Sequence, residues 1–98
     1  MKLRFHRLVQ VEANDAISWY EDQRSGLGDE FFDTFISLID EIASNPDGFP
    51  FWLASNTIRN AKMKRFPYSV LFEILPLKVK ILCLRHEKRH PKYGTGRH

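Results

Sequence analysis

The sequence predicts one α+β domain with the element order β-α-α-β-β-β, in which a helical hairpin packs on one face of an antiparallel sheet. Its 98 residues, with 43% hydrophobic and 28% charged side chains, suit a chain with a single modest core, so residues 1–98 are taken as one domain. In the first half, apolar residues recur at helical spacing. In the second half, three segments with strand patterns are separated by short turns.

The first strand and the first helix are predicted from a change of period. Residues Lys2–Leu8 alternate polar and apolar side chains, which is typical of a strand. From Glu12 onward the apolar residues recur every three or four positions and predict a helix that ends near Gly26. The inward face of this helix is formed by Ala13, Ala16, Ile17 and Tyr20.

A second helix is predicted from Gly28 to Asn45, where the following proline ends it. Asp29 and Glu30 occupy its first turn, where the helix dipole favours negative charge. The link to the first helix is short, so the two helices should form an antiparallel hairpin. Its core stripe comprises Phe31, Phe35, Leu38 and Ile42.

The second half is predicted to hold a loop, Pro46–Asn56, and then three antiparallel strands. The strands are Thr57–Phe66, Tyr68–Leu75 and Lys78–Arg85, with prolines in the turns between them. In the first of them Lys62 and Lys64 share a face opposite Ala61 and Met63, and the sheet face away from the helices is left free to carry the two lysines. The inward positions of the other strands are Tyr68, Val70, Phe72, Ile74, Val79, Ile81 and Cys83.

Composition and charge restrict the classes of function. The sequence has no apolar run long enough to span a membrane, and its first residues lack the continuous apolar stretch of a signal peptide. Its lone Cys83 suits a reducing compartment, so a cytoplasmic location is expected. Residues 1–56 hold 4 Lys or Arg against 10 Asp or Glu, whereas residues 57–98 hold 11 against 2. This asymmetry favours a polyanion or an acidic protein as partner, although the two halves could also simply attract each other.

No cofactor and no metal are expected. The four histidines, His6, His86, His90 and His98, have only Cys83 beside them, and the segment with three of them is strongly cationic, which disfavours zinc. The sequence has neither a phosphate-binding glycine loop nor a nucleophile elbow.

A basic surface with aromatic residues is the remaining candidate for function. Cations of this kind can bind phosphates, and a tyrosine can stack on an exposed base. The last residues, RHEKRHPKYGTGRH, are expected to form a working surface, with Tyr93 as a lid on the core edge as the alternative. The residues expected to contact a target, a nucleic acid or an antitoxin are Arg59, Lys62, Lys64, Arg65, Arg85, Arg89, Lys92, Tyr93 and Arg97.

Four stretches together resemble the RelE/ParE toxin superfamily, and the ParE-like plasmid stabilisation branch most of all. They are WYEDQRSGLGDEFFDTF, IASNPDGFP, IRNAKMKRFPYSVLFEI and HEKRHPKYGTGR, and they cover nearly the whole chain. The resemblance implies a toxin that a cognate antitoxin neutralises, with operator DNA bound only through the antitoxin. ParE-like members poison DNA gyrase, whereas RelE-like members cut messenger RNA on the ribosome without a metal.

For a nuclease, the resemblance implies Lys62, Lys64 and Tyr93 as catalytic residues. Arg85 or Arg89 could serve as the second arginine after a small shift, and His86 or His90 could supply a different acid–base pair, so the candidate catalytic set is Lys62, Lys64, His86, Arg89 and Tyr93. Ser69 stands where the RelE-like pattern has an arginine, and Glu87 lies near the position of a second one. The loss of one cation at the reacting phosphate costs about 3 kcal/mol, which favours gyrase inhibition over RNA cleavage. A member that is inactive and retained for binding or regulation is the third alternative.

Overall fold

The computed structural model describes residues 2–97 and confirms the α+β class and the order β-α-α-β-β-β. Strand β1 (Lys2–Phe5) precedes helices α1 (Arg7–Gln23) and α2 (Leu27–Ser44), and a short 3₁₀ turn (Pro46–Gly48) follows them. The remaining elements are the strands β2 (Ile58–Lys62), β3 (Tyr68–Leu75) and β4 (Lys78–His86). No helix in residues 2–97 is long and apolar enough to cross a membrane.

The sheet is mixed rather than wholly antiparallel. Its strand order is β1-β4-β3-β2, and the β2–β3 and β3–β4 pairs are antiparallel as expected. Strand β1 instead runs parallel to β4, with Lys2 opposite Lys78 and Phe5 opposite Ile81. The expectation of an antiparallel sheet was therefore wrong for β1, because a local alternating pattern specifies a strand but not its partner or direction.

The first helix begins earlier than the sequence pattern indicated. The predicted strand Lys2–Leu8 ends at Phe5, and α1 starts at Arg7 instead of near Glu12. His6 caps the helix, because its Nδ1 accepts the Leu8 backbone N–H at 3.2 Å. Buried Val9 extends the helical stripe of Ala13 and Ala16 toward the N-terminus, which the alternation of the preceding residues concealed.

The hairpin closes tightly where α2 begins. The Glu21 carboxylate accepts the backbone N–H groups of Gly26 and Gly28 at 3.0–3.1 Å. A Cβ at Gly28 would lie 2.8 Å from the Ile17 carbonyl oxygen, so the helices can approach closely only with glycine at this position. The predicted stripe of Phe31, Phe35, Leu38 and Ile42 is buried against the sheet.

A β-bulge in β4 changes which of its residues face the helices. Leu71 pairs with Cys83 but Phe72 pairs with Ile81, so Leu82 is the extra residue. The inward positions Val70, Phe72, Val79 and Ile81 are confirmed, whereas Cys83 was assigned to the wrong face. Beyond the bulge Leu84 takes the inward position.

The sheet face away from the helices is partly covered. Ile58, Leu71, Leu82 and Cys83 form a second apolar cluster there, and Trp52 and Tyr93 pack on it. The expectation that this face is left free was therefore wrong over its middle. Strand β2 is also shorter than the predicted Thr57–Phe66, and Lys62 at its end is exposed.

Candidate functional site

The C-terminal segment, residues 87–97, is packed onto the domain. The Trp52 indole Nε1 donates to the Pro91 carbonyl oxygen at 3.0 Å. Gly94 has φ of 79° and lies so close to Cys83 that an added Cβ would be 2.4 Å from the Sγ atom. This packing requires glycine, and it places Tyr93 over the second apolar cluster.

Glu12 of α1 is the centre of the bonds that hold this segment. Its carboxylate accepts a hydrogen bond from the Tyr93 hydroxyl and two from Arg97, at 2.7 and 3.0 Å. The Glu12 and Arg97 side chains are only 11% and 13% exposed. Burial and the bond to Glu12 raise the pKa of Tyr93, and the same carboxylate raises the pKa of Arg97.

The side chains of Glu12 and Arg97 also form hydrogen bonds with the free backbone edge of strand β4. Strand β1 pairs with β4 only as far as Ile81, so among the described residues, 2–97, no strand lies beside that edge of β4 beyond Ile81. The Leu84 backbone N–H donates to Glu12 at 3.1 Å, and Arg97 donates to the Leu82 carbonyl oxygen at 3.1 Å. Side chains thus supply the hydrogen bonds that a further strand would make.

Arg89 is held at both its backbone and its side chain. Its guanidinium lies 4.6 Å from the centroid of the Tyr93 ring, and that of Arg97 lies 5.0 Å from the same centroid. The backbone carbonyl oxygen of Arg89 accepts a hydrogen bond of 2.6 Å from the Arg85 guanidinium. Arg85 is only 3% exposed, and its guanidinium lies 4.8 Å from the centroid of the Trp52 ring. It is therefore a buried support for the Arg89 backbone.

A groove of about 320 Å³ separates α1 from this segment. One wall is formed by Val11, Asp15 and Trp19 of α1, and Arg89 lies on the other. Trp19 is 58% exposed and Val11 52% exposed. Within residues 2–97, no ion pair is formed by Asp15 or Arg89. The groove therefore offers exposed apolar surface together with one carboxylate and one guanidinium that form no ion pair within residues 2–97.

The predicted contact residues fall into three groups. Arg89, Tyr93 and Arg97 line the groove. Lys62, Lys64 and Arg65 instead border a separate recess of about 280 Å³ beside α2. Lys62 lies 3.6 Å from Glu87, and Arg65 lies 2.8 Å from Glu30. The other three are Arg59, which donates to the Phe49 carbonyl oxygen, Arg85, which is buried, and Lys92, which is exposed.

The candidate nuclease residues are divided by the sheet. Lys62 pairs with Ser69 and Ser69 with Arg85, so these three side chains form a row on the face away from the helices. His86 pairs with Tyr68 and points to the helix side, where the two rings lie 5.0 Å apart. The lysines therefore do not line the groove that contains His86, Arg89 and Tyr93.

The histidines are used as backbone acceptors. The Nδ1 atoms of His6, His86 and His90 each accept the backbone N–H two residues further on, at 3.2, 3.0 and 3.1 Å. Within residues 2–97 there is no group of three or more His, Cys, Asp or Glu side chains suited to a metal ion. His98 lies outside the described residues. Burial raises the pKa of the Cys83 thiol to about 12, so this thiol is inert at neutral pH.

Sequence reasoning missed Glu12, Asp15, Trp19 and Trp52 as members of the site. Trp19 could have been predicted from the sequence, because it lies off the inward stripe of its helix. A large aromatic side chain at such a position is exposed and can contact a partner. Glu12 carried none, since its partners Tyr93 and Arg97 are 81 and 85 residues away.

A helical hairpin on one face of a four-stranded mixed sheet, with a cationic C-terminal segment folded against the first helix, defines a small α+β domain. Comparison with solved structures finds such a fold in one described as "Chromosomal ParDE TA system from P. aeruginosa", with a TM-score of 0.68. The match covers 88% of this chain and 95% of that one at 13% identity, so it establishes a shared fold. No family model matches the sequence, and no curated protein matches it in sequence.

Proposed function

We propose that this protein is the toxin of a type II toxin–antitoxin system, ParE-like, which acts in the cytoplasm by binding and inhibiting DNA gyrase. The observation that carries the proposal is the fold shared with the ParDE structure along 88% of the chain. The sequence resemblance, drawn from separate stretches of residues, supports the same superfamily.

Inhibition by binding, without catalysis, is favoured by the distribution of the reactive side chains. A metal-independent nuclease needs a base, an acid and cations around one phosphate. Here Lys62 lies on the sheet face opposite His86, and the Tyr93 hydroxyl is engaged by Glu12. A groove with an exposed tryptophan and an arginine has the composition typical of protein–protein contacts.

The partner that restrains the toxin is expected to be a cognate antitoxin with an acidic, partly disordered segment, and operator DNA is bound only through it. Residues 57–98 hold 11 Lys or Arg against 2 Asp or Glu, so such a segment should associate faster at low salt. An association rate constant that does not change between about 50 and 300 mM salt would contradict this electrostatic attraction.

A RelE-like endoribonuclease acting on messenger RNA in the ribosome is the second candidate. The row of Lys62, Ser69 and Arg85 favours it, because exposed Lys62 could meet a phosphate on that face. Arg85, the arginine of this row, is buried. Lys62 is therefore the one cation of the row that is exposed to a phosphate.

Expression without antitoxin separates these functions. The wild type, a Lys62→Ala/Lys64→Ala variant and an Arg89→Ala variant would be scored for growth, for supercoiling by purified gyrase and for cuts in translated messages. Gyrase inhibition predicts arrest with inhibited supercoiling, retained by the lysine variant and weakened in Arg89→Ala. Codon-phased message cuts that the lysine variant abolishes would establish the nuclease. A folded wild type that does not arrest growth would indicate the third alternative, an inactive member that is retained for binding or regulation.

A further inference from the structure

We propose that Glu12 is the positioning residue of the target-binding surface: it fixes Tyr93 and Arg97 so that Arg89 is presented across the groove from Trp19. This inference rests on the proposed function, because it names the groove between α1 and the C-terminal segment as the surface that meets the target.

The first step of the argument is that Glu12 has more polar bonds than a helix surface position requires. It accepts from the Tyr93 hydroxyl, from Arg97 and from the Leu84 backbone, and it is 11% exposed. Glu12 therefore connects helix α1, strand β4 and the C-terminal segment at one point. A change at Glu12 should loosen the segment without opening the core, since the core is packed from other residues of α1.

The second step concerns Arg89, which Glu12 reaches through Tyr93. The Arg89 side chain is exposed and forms no ion pair with any residue of the range 2–97, but its guanidinium lies 4.6 Å from the centroid of the Tyr93 ring. Because the Tyr93 hydroxyl is bound to Glu12, the ring is held in place, and its contact with the guanidinium restrains the Arg89 side chain. The bond from buried Arg85 to the Arg89 carbonyl oxygen fixes the backbone as well.

The third step is the kind of partner that this surface fits. Arg89 has no carboxylate partner within residues 2–97, and the α1 wall offers Val11 and Trp19 as apolar contacts. An arginine held in place beside exposed apolar side chains recognises a carboxylate flanked by an apolar residue. The target is therefore inferred to be a protein surface that presents an acidic side chain next to an apolar one.

The variants that test this are Glu12→Gln, Arg89→Ala, the double variant and Asp22→Asn. The amide introduced by Glu12→Gln has a single acceptor oxygen, so it can keep the bond from the Leu84 N–H but not the bond from the Tyr93 hydroxyl to the other oxygen, and it cannot form the ion pair with Arg97. Asp22 is an exposed carboxylate of the same helix with no ion pair in the described chain, so it serves as the matched control. All four must unfold cooperatively, as measured by thermal melting.

The first measurement is limited trypsin digestion, with cleavage after Lys88, Arg89 and Lys92 followed by mass spectrometry. Cleavage after Lys88 and Lys92 should accelerate at least about tenfold in Glu12→Gln and stay at the wild-type rate in Asp22→Asn. The second is inhibition of purified gyrase. Glu12→Gln and Arg89→Ala should each weaken it by about tenfold or more, and the double variant should be no weaker than Arg89→Ala.

That absence of additivity is the signature of a residue acting through Arg89, and a general loss of stability would not produce it. Additive losses, or a folded Glu12→Gln that inhibits as well as the wild type, would overturn the inference while leaving the toxin function intact. If the wild type neither arrests growth nor inhibits gyrase, the proposed function fails instead. The trypsin digestion then still tests whether Glu12 holds the C-terminal segment. Cleavage of Glu12→Gln at the wild-type rate would show that it does not.

Discussion

Replacing Phe31 with alanine should lower the free energy of unfolding by roughly 3–5 kcal/mol, toward the upper end of that range. The ring is fully buried where α2 meets the sheet. It stacks on Tyr20 with centroids 5.2 Å apart, and it makes edge contacts with Phe66 and Tyr68 at 5.0 and 5.1 Å. Truncation removes both the burial and the aromatic contacts, each of the latter worth about 0.5–1.5 kcal/mol.

The measurement is urea unfolding followed by circular dichroism, with the m-value checked for a change in the unfolded state. Phe32 is the matched control, because it neighbours Phe31 on the same helix but is 46% exposed. Phe32→Ala should cost about 1 kcal/mol or less. A loss below about 1 kcal/mol for Phe31→Ala, or equal losses for both variants, would mean that the hairpin packs on the sheet differently.

Three further outcomes are expected. Gly94→Ala should destabilise by about 1–3 kcal/mol in thermal melting, since φ is 79° and the new Cβ would meet the Cys83 Sγ atom; an unchanged melting temperature would contradict the packing of the segment. A thiol reagent at pH 8 should modify Cys83 only after unfolding, because burial raises the pKa of this thiol to about 12, and rapid reaction with the native protein would refute its burial. Burial and nearby cations lower the pKa of His6 in the folded chain, so its helix-capping contribution is complete above the unfolded pKa of 6.5 and is lost as pH falls below it. Urea unfolding at pH 7.5 and 5 should show this loss, and His6→Asn should reduce it.

The helical hairpin was predictable because its information is local. The Phe31 and Phe35 spacing and the proline after Asn45 suffice to place α2 and its inward face. The start of α1 was misplaced because the alternation of Lys2 to Leu8 was read as one strand, and only the cap at His6 reveals the helix. The hydrogen bond from the Leu8 N–H to His6, and not the polar–apolar alternation, thus marks where this helix begins.

The site was less predictable because its contacts join distant parts of the chain. The sequence indicated that Arg89 and Tyr93 belong to a cationic surface, and the structure places both on one groove. Nothing in the sequence connects Glu12 to Tyr93. The bulge at Leu82 also inverts the alternation on which the assignment of Cys83 rested, since one extra residue moves every later side chain to the other face.

The place of β4 in the sheet has a consequence for how the chain folds. This strand is the last in sequence but lies between β1 and β3, so β1 has no partner until residues 78–81 have been made. The bonds from Glu12 need residues still further along, 81 and 85 positions away. Such long loops close slowly, so folding should be slow for a domain of this size. On the ribosome the nascent chain would present an open β3 edge until β4 is made, which makes this interval the one most exposed to aggregation or capture by a chaperone.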